Sequence, residues 1–215
     1  MTLQADLYFS YRSPYSYFAA QRWRELVAEW DLSISVKVVY PIAVRDPAFF
    51  ERANPMWLPY LVRDIMRVGE FMELPIAMPR PDPIIMDLAT RKIAEEQPLI
   101  RPISYLGVEA ERRGGGLAFA AEVSKMIWGG TENWNAPEKL AAAAERAGLV
   151  LVEMENAIDA AACEAEIEAN QTALEKAGHW GVPTLVFSGE PFFGQDRIEM
   201  ALWRMRSKGL TPRRP

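Results

Sequence analysis

Few residues of this chain could do chemistry. It holds one histidine, His179, and one cysteine, Cys163. No CxxC pair exists, and a lone histidine cannot anchor a zinc cluster of the usual kind, so no metal site is expected. Cys163 cannot close an internal disulfide, and its Ala/Glu-rich helical surroundings make it a small buried apolar residue. Nothing near His179 in the sequence orients it as a base, which leaves it a packing or loop residue. The stretch with the most chemical potential is Ser10-Tyr11-Arg12-Ser13-Pro14-Tyr15-Ser16. It follows a strand-like run, Leu7-Tyr8-Phe9, and precedes a helical pattern from Phe18 to Trp30. A serine where a strand feeds a helix faces the unpaired N–H groups of the first turn, and these favour an anion. Pro14 suits that turn, where its missing N–H is not needed. Two readings of Ser13 stand open: an N-cap only, or a hydroxyl at an anion site.

The elements that must position this stretch follow from periodicity. Ala19, Trp23, Leu26, Val27 and Trp30 make one helical face. Asp31 breaks the helix, and Ile34, Val36, Val38 and Tyr40 alternate as a second strand. The opening is therefore β-α-β, with parallel strands by the crossover rule. After Pro41 the patterns turn helical or loop-like. Helices are predicted over 56–72, with Pro59 in the first turn, and over 86–96, 103–113 and 117–127. Leu74 to Pro83 carries four prolines and predicts an extended connector. Gly114-Gly115-Gly116 lacks the GK[ST] of a phosphate loop and reads as a helix break. Asn135-Ala136-Pro137-Glu138 opens a helix capped by Asn135 and closed by Gly148, and one or two more run from Val152 to Gly178. Thr184 to Phe187, a turn over 188–191 and Phe192-Phe193 form a hairpin; Asp196 caps a last helix with Ile198, Ala201, Leu202 and Met205 buried.

The order is β-α-β, a long helical stretch, then β-β-α. That is the order of an α/β, thioredoxin-like sheet with a large all-helical insertion, divided as 1–41 plus 179–215 against 42–178; fold alone does not give function. The 215 residues allow one large domain or one with an insertion. A formal charge of −5 argues against nucleic acid. Arg213-Arg214, the basic pair worth noting, reads as a frayed end. One cysteine fits a reducing compartment. The first six residues lack a secretory pattern, and no run approaches a membrane span, so a cytoplasmic protein with no membrane partner is expected.

With Ser13-Pro14-Tyr15-Ser16 at the first βα turn and Gly181-Val182-Pro183-Thr184 before the hairpin, nearly the whole chain resembles a known group. It is similar to the 2-hydroxychromene-2-carboxylate isomerases and the kappa-class glutathione transferases, relatives of the DsbA disulfide oxidoreductases. Phe193-Gly194-Gln195-Asp196-Arg197 and the segment Trp128 to Asn135 carry it further. DsbA-like proteins place Cys-Pro-Tyr-Cys at this turn, where the helix lowers a thiol pKa; here Ser13 and Ser16 take both cysteine positions, so dithiol exchange is impossible. The resemblance implies that bound glutathione supplies the thiol and that Ser13 hydrogen-bonds it, favouring the charged form. It implies that Pro183 is cis, that Val182 presents backbone to glutathione, and that Gln195 and Asp196 hold its γ-glutamyl end. Asn54 and Pro55 resemble the family's Asn/Pro-containing stretch that contacts glutathione, which implies that role for Asn54, but the family's usual lysine is here Trp57, three residues before Tyr60. Arg12 is a further candidate, for a substrate carboxylate. The implied activity is a glutathione-dependent isomerase acting on a small aromatic or conjugated acid, in a homodimer. Trp57, Tyr60 and Trp128 would line its pocket, or belong to the core. A glutathione transferase and a non-catalytic glutathione-binding protein are the alternatives.

Overall fold

The computed structural model describes residues 2–87 and 89–213. Strand β1 (Leu3–Phe9) leads into α1 (Pro14–Glu29) and β2 (Leu32–Val38). Two short helices, α2 (Ile42–Arg45) and α3 (Phe49–Arg52), precede α4 (Trp57–Phe71). Then come α5 (Ile100–Arg112), α6 (Gly116–Trp128), α7 (Pro137–Arg146), α8 (Leu151–Ala157) and α9 (Ala160–Lys176). The chain returns to β3 (Thr184–Phe187) and β4 (Glu190–Phe193), and a 3-10 turn (Gln195–Arg197) runs into α10 (Ile198–Ser207). The four strands lie in the order β2-β1-β3-β4. β1 and β2 are parallel in register from Leu3↔Leu32 to Phe9↔Val38, while β3 is antiparallel to both β1 and β4. This is the expected α/β, thioredoxin-like sheet: a parallel βαβ unit joined edge to edge with a hairpin. The hairpin turn is Ser188-Gly189, both at positive φ, as a two-residue turn of this twist requires.

The core is continuous from the sheet into the helices. Leu7, Phe9 and Val36 share one buried cluster with Trp23 and Leu26 of α1 and with Val108, Phe119 and Ile127 of α5 and α6. The N–H of Val36, on the outer edge of the sheet, is held by the Glu111 carboxylate at 2.9 Å, which closes an otherwise open strand edge.

Several local expectations change. The strands begin earlier than their apolar runs, at Leu3 and Leu32, and the second ends at Val38. The predicted 103–113 helix starts at Ile100, with Pro102 in its first turn, where no intrahelical N–H is needed. The predicted 86–96 helix is absent among the described residues. Asp87 accepts from the N–H groups of Ala89 (2.9 Å) and Thr90 (2.7 Å), and Met86 pairs with Ile93 as an isolated bridge. A side-chain turn of this kind competes with helix formation; Leu88 lies outside the described residues. Ala136, not Asn135, occupies the cap of α7, without a side-chain bond. Gly148 does close that helix, at φ 75° with Leu149 N–H on the Ala144 carbonyl. Asp196 does not cap: Gly194 does, at φ 102°, and the first turn is 3-10. The C-terminal end is tied down. Arg213 N–H bonds the Glu29 carbonyl (2.8 Å) and Asp31 N–H the Thr211 carbonyl (2.9 Å), while Arg214 lies outside the described residues. No helix among the described residues is long and apolar enough to cross a membrane.

Candidate functional site

The C-terminal end of β1, the start of α1 and the loop before β3 meet at one point. Ser13 leaves β1 extended (φ −97°, ψ 117°), and its Oγ accepts from Ser16 N–H at 3.1 Å, so it is an N-cap. The same hydroxyl also faces the Val182 carbonyl, at 3.4 Å. That is long for an O–H···O bond, so its proton rests on a weak acceptor. Pro14 has no N–H, Ser16 N–H is capped, and Tyr17 N–H bonds the Ser13 carbonyl. Tyr15 N–H is therefore the first-turn donor left open among the described residues, at the positive end of a 16-residue helix.

The Val182–Pro183 peptide is cis. The loop is fixed on both sides: Thr184 Oγ1 donates to the Gly181 carbonyl at 2.8 Å, and Gly194 N–H to the Pro183 carbonyl at 2.9 Å. Among the described residues Val182 N–H meets no backbone acceptor. The Gly194–Pro183 bond brings Gln195 and Asp196 next to this loop. Gln195 and Asp196 line a cleft of about 470 Å³ with Gln21, Arg22 and Phe71, a space that Ser13 and Val182 do not line. Asp196 itself holds Arg197 at 2.6 Å. Asn54 stands apart from this convergence: it is exposed, and its Oδ1 accepts from Met56 N–H at 2.9 Å just ahead of α4.

Sequence reasoning did not foresee several neighbours. Tyr15 donates to Asp64 of α4 at 2.5 Å, and Tyr60 approaches the other oxygen at 3.4 Å. Burial first, and then the Asp64 carboxylate, push the Tyr15 phenol well above the ordinary tyrosine value, so it remains a donor at neutral pH. Arg12 is not a free cation. It grips Asp82 with two bonds, 2.5 and 2.8 Å, and its guanidinium lies 5.2 Å from the Trp128 ring centre. Trp128 is core, at 1% exposure, and its Nε1 donates to the Tyr11 carbonyl behind Ser13. Ser16 Oγ is fully buried and without a partner among the described residues.

A band of rings flanks the loop. His179 stacks on Phe193 (4.0 Å between centres), Trp180 lies 6.1 Å from Phe49, and Phe49 meets Trp57 edge-on at 5.5 Å. Burial lowers the His179 pKa, and its Nδ1 accepts from Gly181 N–H at 2.8 Å, so it serves loop packing, as its sequence surroundings predict. Cys163 is fully buried, with its thiol pKa raised by burial. No group of histidine, cysteine and carboxylate side chains among the described residues could hold a metal.

Comparison with known proteins agrees with this architecture. The chain is 26% identical over 200 residues to a 2-hydroxychromene-2-carboxylate isomerase of Pseudomonas putida, covering 91% of this chain and 90% of that one. It is also 26% identical to the protein of that name from Pseudomonas sp. (strain C18), covering 91% and 86%. A solved 2-hydroxychromene-2-carboxylate isomerase superposes with a TM-score of 0.70 at 21% identity, covering 96% of each chain. The family model described as DSBA-like thioredoxin domain matches residues 4–205. With its four-stranded sheet and its serine and cis-proline at the shared end, this chain belongs to the DSBA-like thioredoxin domain family.

Proposed function

We propose that this protein is a glutathione-dependent isomerase of the 2-hydroxychromene-2-carboxylate type, acting on a small aromatic or conjugated acid. The observation that carries the reading is the meeting of Ser13 with the Val182–Pro183 loop at the start of α1. The donor set suits a thiol bearing a short peptide. A hydroxyl on a weak acceptor, an open Tyr15 N–H and a helix dipole all favour a negative sulfur over a neutral one. The unpaired Val182 N–H and its carbonyl offer an extended peptide one backbone donor and one acceptor, as in strand addition.

Bound there, glutathione would supply the nucleophilic thiol for reversible addition to a conjugated acid. The chain's own part is threefold. Ser13 turns its proton from the Val182 carbonyl to the anionic sulfur, a stronger acceptor. Tyr15, kept protonated by burial and Asp64, spends its hydroxyl proton on that carboxylate and ties the start of α1 to α4. The loop fixes the electrophile's approach, which lowers the entropic cost of addition. With serine at positions 13 and 16 and Cys163 buried, dithiol exchange has no residues to run on.

Thermal denaturation with and without millimolar reduced glutathione tests the reading. A ligand that binds only the folded state raises the midpoint by mass action, adding about 2.7 kcal/mol to the unfolding free energy at a hundredfold excess over Kd. An unmoved midpoint, with no heat in isothermal titration, counts against any glutathione-dependent activity.

A further inference from the structure

The arginines around Ser13 are mostly committed to aspartates. Arg12 holds Asp82, Arg67 faces Asp64, Arg197 holds Asp196, and Arg52 holds Asp46. Arg45, at the end of α2, differs. Its Nε donates to the Tyr40 carbonyl at 2.8 Å and its Nη1 to the Trp180 carbonyl at 2.9 Å. Among the described residues it makes no ion pair within 4.0 Å. Two backbone carbonyls leave the rest of the guanidinium fork without an acceptor.

Its position matters as much as its charge. Trp180 precedes Val182 by two residues, so the guanidinium lies within about 10 Å of the Val182 carbonyl that faces Ser13. The ring of Trp180, half exposed, neighbours Phe49, and Phe49 neighbours Trp57. A planar cation with open donors thus stands beside an open aromatic wall, bonded to the loop that carries the cis proline through the Trp180 carbonyl.

We propose that Arg45 is the carboxylate anchor of this site, taking a carboxylate of the bound molecule while the Phe49, Trp57 and Trp180 rings hold its planar part. A guanidinium takes a carboxylate in two parallel bonds, and each is stronger where water is partly excluded. Burial already lowers the Arg45 pKa, with Glu175 acting on it only from beyond ion-pair distance; a bound carboxylate would relieve that cost. The inference rests on the reading that ligands bind beside Ser13. Two carboxylate sources fit it, the glycyl end of glutathione and the acid group of a conjugated aromatic.

Titration of the whole chain with two matched pairs separates them: reduced glutathione against its glycyl ethyl ester, and trans-cinnamate against cinnamamide. The acid of at least one pair should bind about tenfold or more tighter than its neutral partner, as a charge-assisted bond predicts. Which pair shows the preference identifies the carboxylate. Arg45→Gln should abolish that preference by weakening the acid alone, and Arg45→Lys should keep part of it. Three results overturn the proposal: no preference in either pair for the unaltered protein, a preference that survives in Arg45→Gln, or equal weakening of acid and neutral partner. The last would make Arg45 a tie for the two carbonyls and nothing more. If Arg45→Gln does not fold, Arg45→Lys decides, by partial preference or by uniform loss. Failure of the glutathione reading looks different: neither glutathione nor its ester binds, while the cinnamate preference and its loss in Arg45→Gln remain.

Discussion

Helices α4 and α6 are of similar length and differ almost completely in burial. Of the 13 residues of α6, ten are buried, from Gly116 to Trp128; of the 15 residues of α4, only Ile65 and Gly69 are. The sequences explain this. Helix α6 is apolar nearly all round, the mark of a helix surrounded by protein, while α4 interleaves Arg63, Asp64, Arg67 and Glu70 with its apolar residues. What α6 touches is the back of the site: the Trp128 indole holds the Tyr11 carbonyl, two residues before Ser13. What α4 offers is its side chains, chiefly Asp64 toward Tyr15. One helix fixes where Ser13 stands, and the other supplies changeable surface beside it. Substitutions on the second can change that surface without disturbing the first.

The largest expected effect breaks the first role. Trp128→Ala removes a fully buried indole, its hydrogen bond and the ring under Arg12, and should cost about 3–5 kcal/mol in denaturant unfolding. A loss under 1 kcal/mol would mean that α6 is not the scaffold described. Next is Glu122 of α6, which binds Arg24 of α1 and, at 2.6 Å, Arg146 of α7. Burial opposes its charge, but Arg146 and Arg24 outweigh that and hold the carboxyl below the ordinary glutamate value. A depressed folded-state pKa gives stability that is present above the unfolded value and lost as pH falls through the folded one. Glu122→Gln should therefore lose about 1.5–3 kcal/mol at pH 7. Below about pH 4.5 its stability should fall less steeply than that of the unaltered protein. Parallel curves would remove Glu122 from the account.

The sequence revealed the frame of the fold better than it revealed the site's walls. Period-two and period-3.6 patterns in residues 7–40 are strong because each element has one face on a common core, so the βαβ unit was legible there. Ser13-Pro14 at a strand-to-helix turn and Val182-Pro183 before a hairpin were legible as well. Their meeting at 3.4 Å, across 169 positions, was legible only through the family resemblance, which sets both against one ligand. Asp87 shows a local signal misread. Met86 and Ile93 have a spacing that suits a helix, yet an aspartate followed by Thr90 turns the backbone on its own side chain. Asp159, which caps α9 through Ala161 and Ala162 N–H, carried a readable cap signal that the Ala/Glu-rich run obscured. Arg45 carried none, because its partners are carbonyls of distant residues, and a backbone acceptor leaves no trace in residue type.

Two smaller effects sharpen the contrast. Ser13→Ala removes the cap of α1 and should cost about 1 kcal/mol of stability. In a glutathione complex it should also raise the thiol pKa by about one unit, roughly 1.4 kcal/mol, because the helix dipole and Tyr15 N–H remain. Turnover at neutral pH then falls and the pH–rate profile moves to higher pH. Thiolate absorbance against pH, unchanged between the two proteins, would leave Ser13 a cap alone.

The smallest effect belongs to Phe71, at the end of α4 and 86% exposed. An aromatic ring in water contributes almost nothing to the fold, so Phe71→Ser should change stability by no more than about 0.5 kcal/mol. It lines the cleft that Gln195 and Asp196 share, so any ligand reaching that cleft should feel the change in its affinity before the fold does. The measurement is a pair: unfolding midpoint at several protein concentrations, and glutathione titration. A loss of 2 kcal/mol or more that grows with protein concentration would mean that Phe71 is covered by a second chain in solution. Helix α4 would then be as buried as α6, and the division of labour between the two helices would fall.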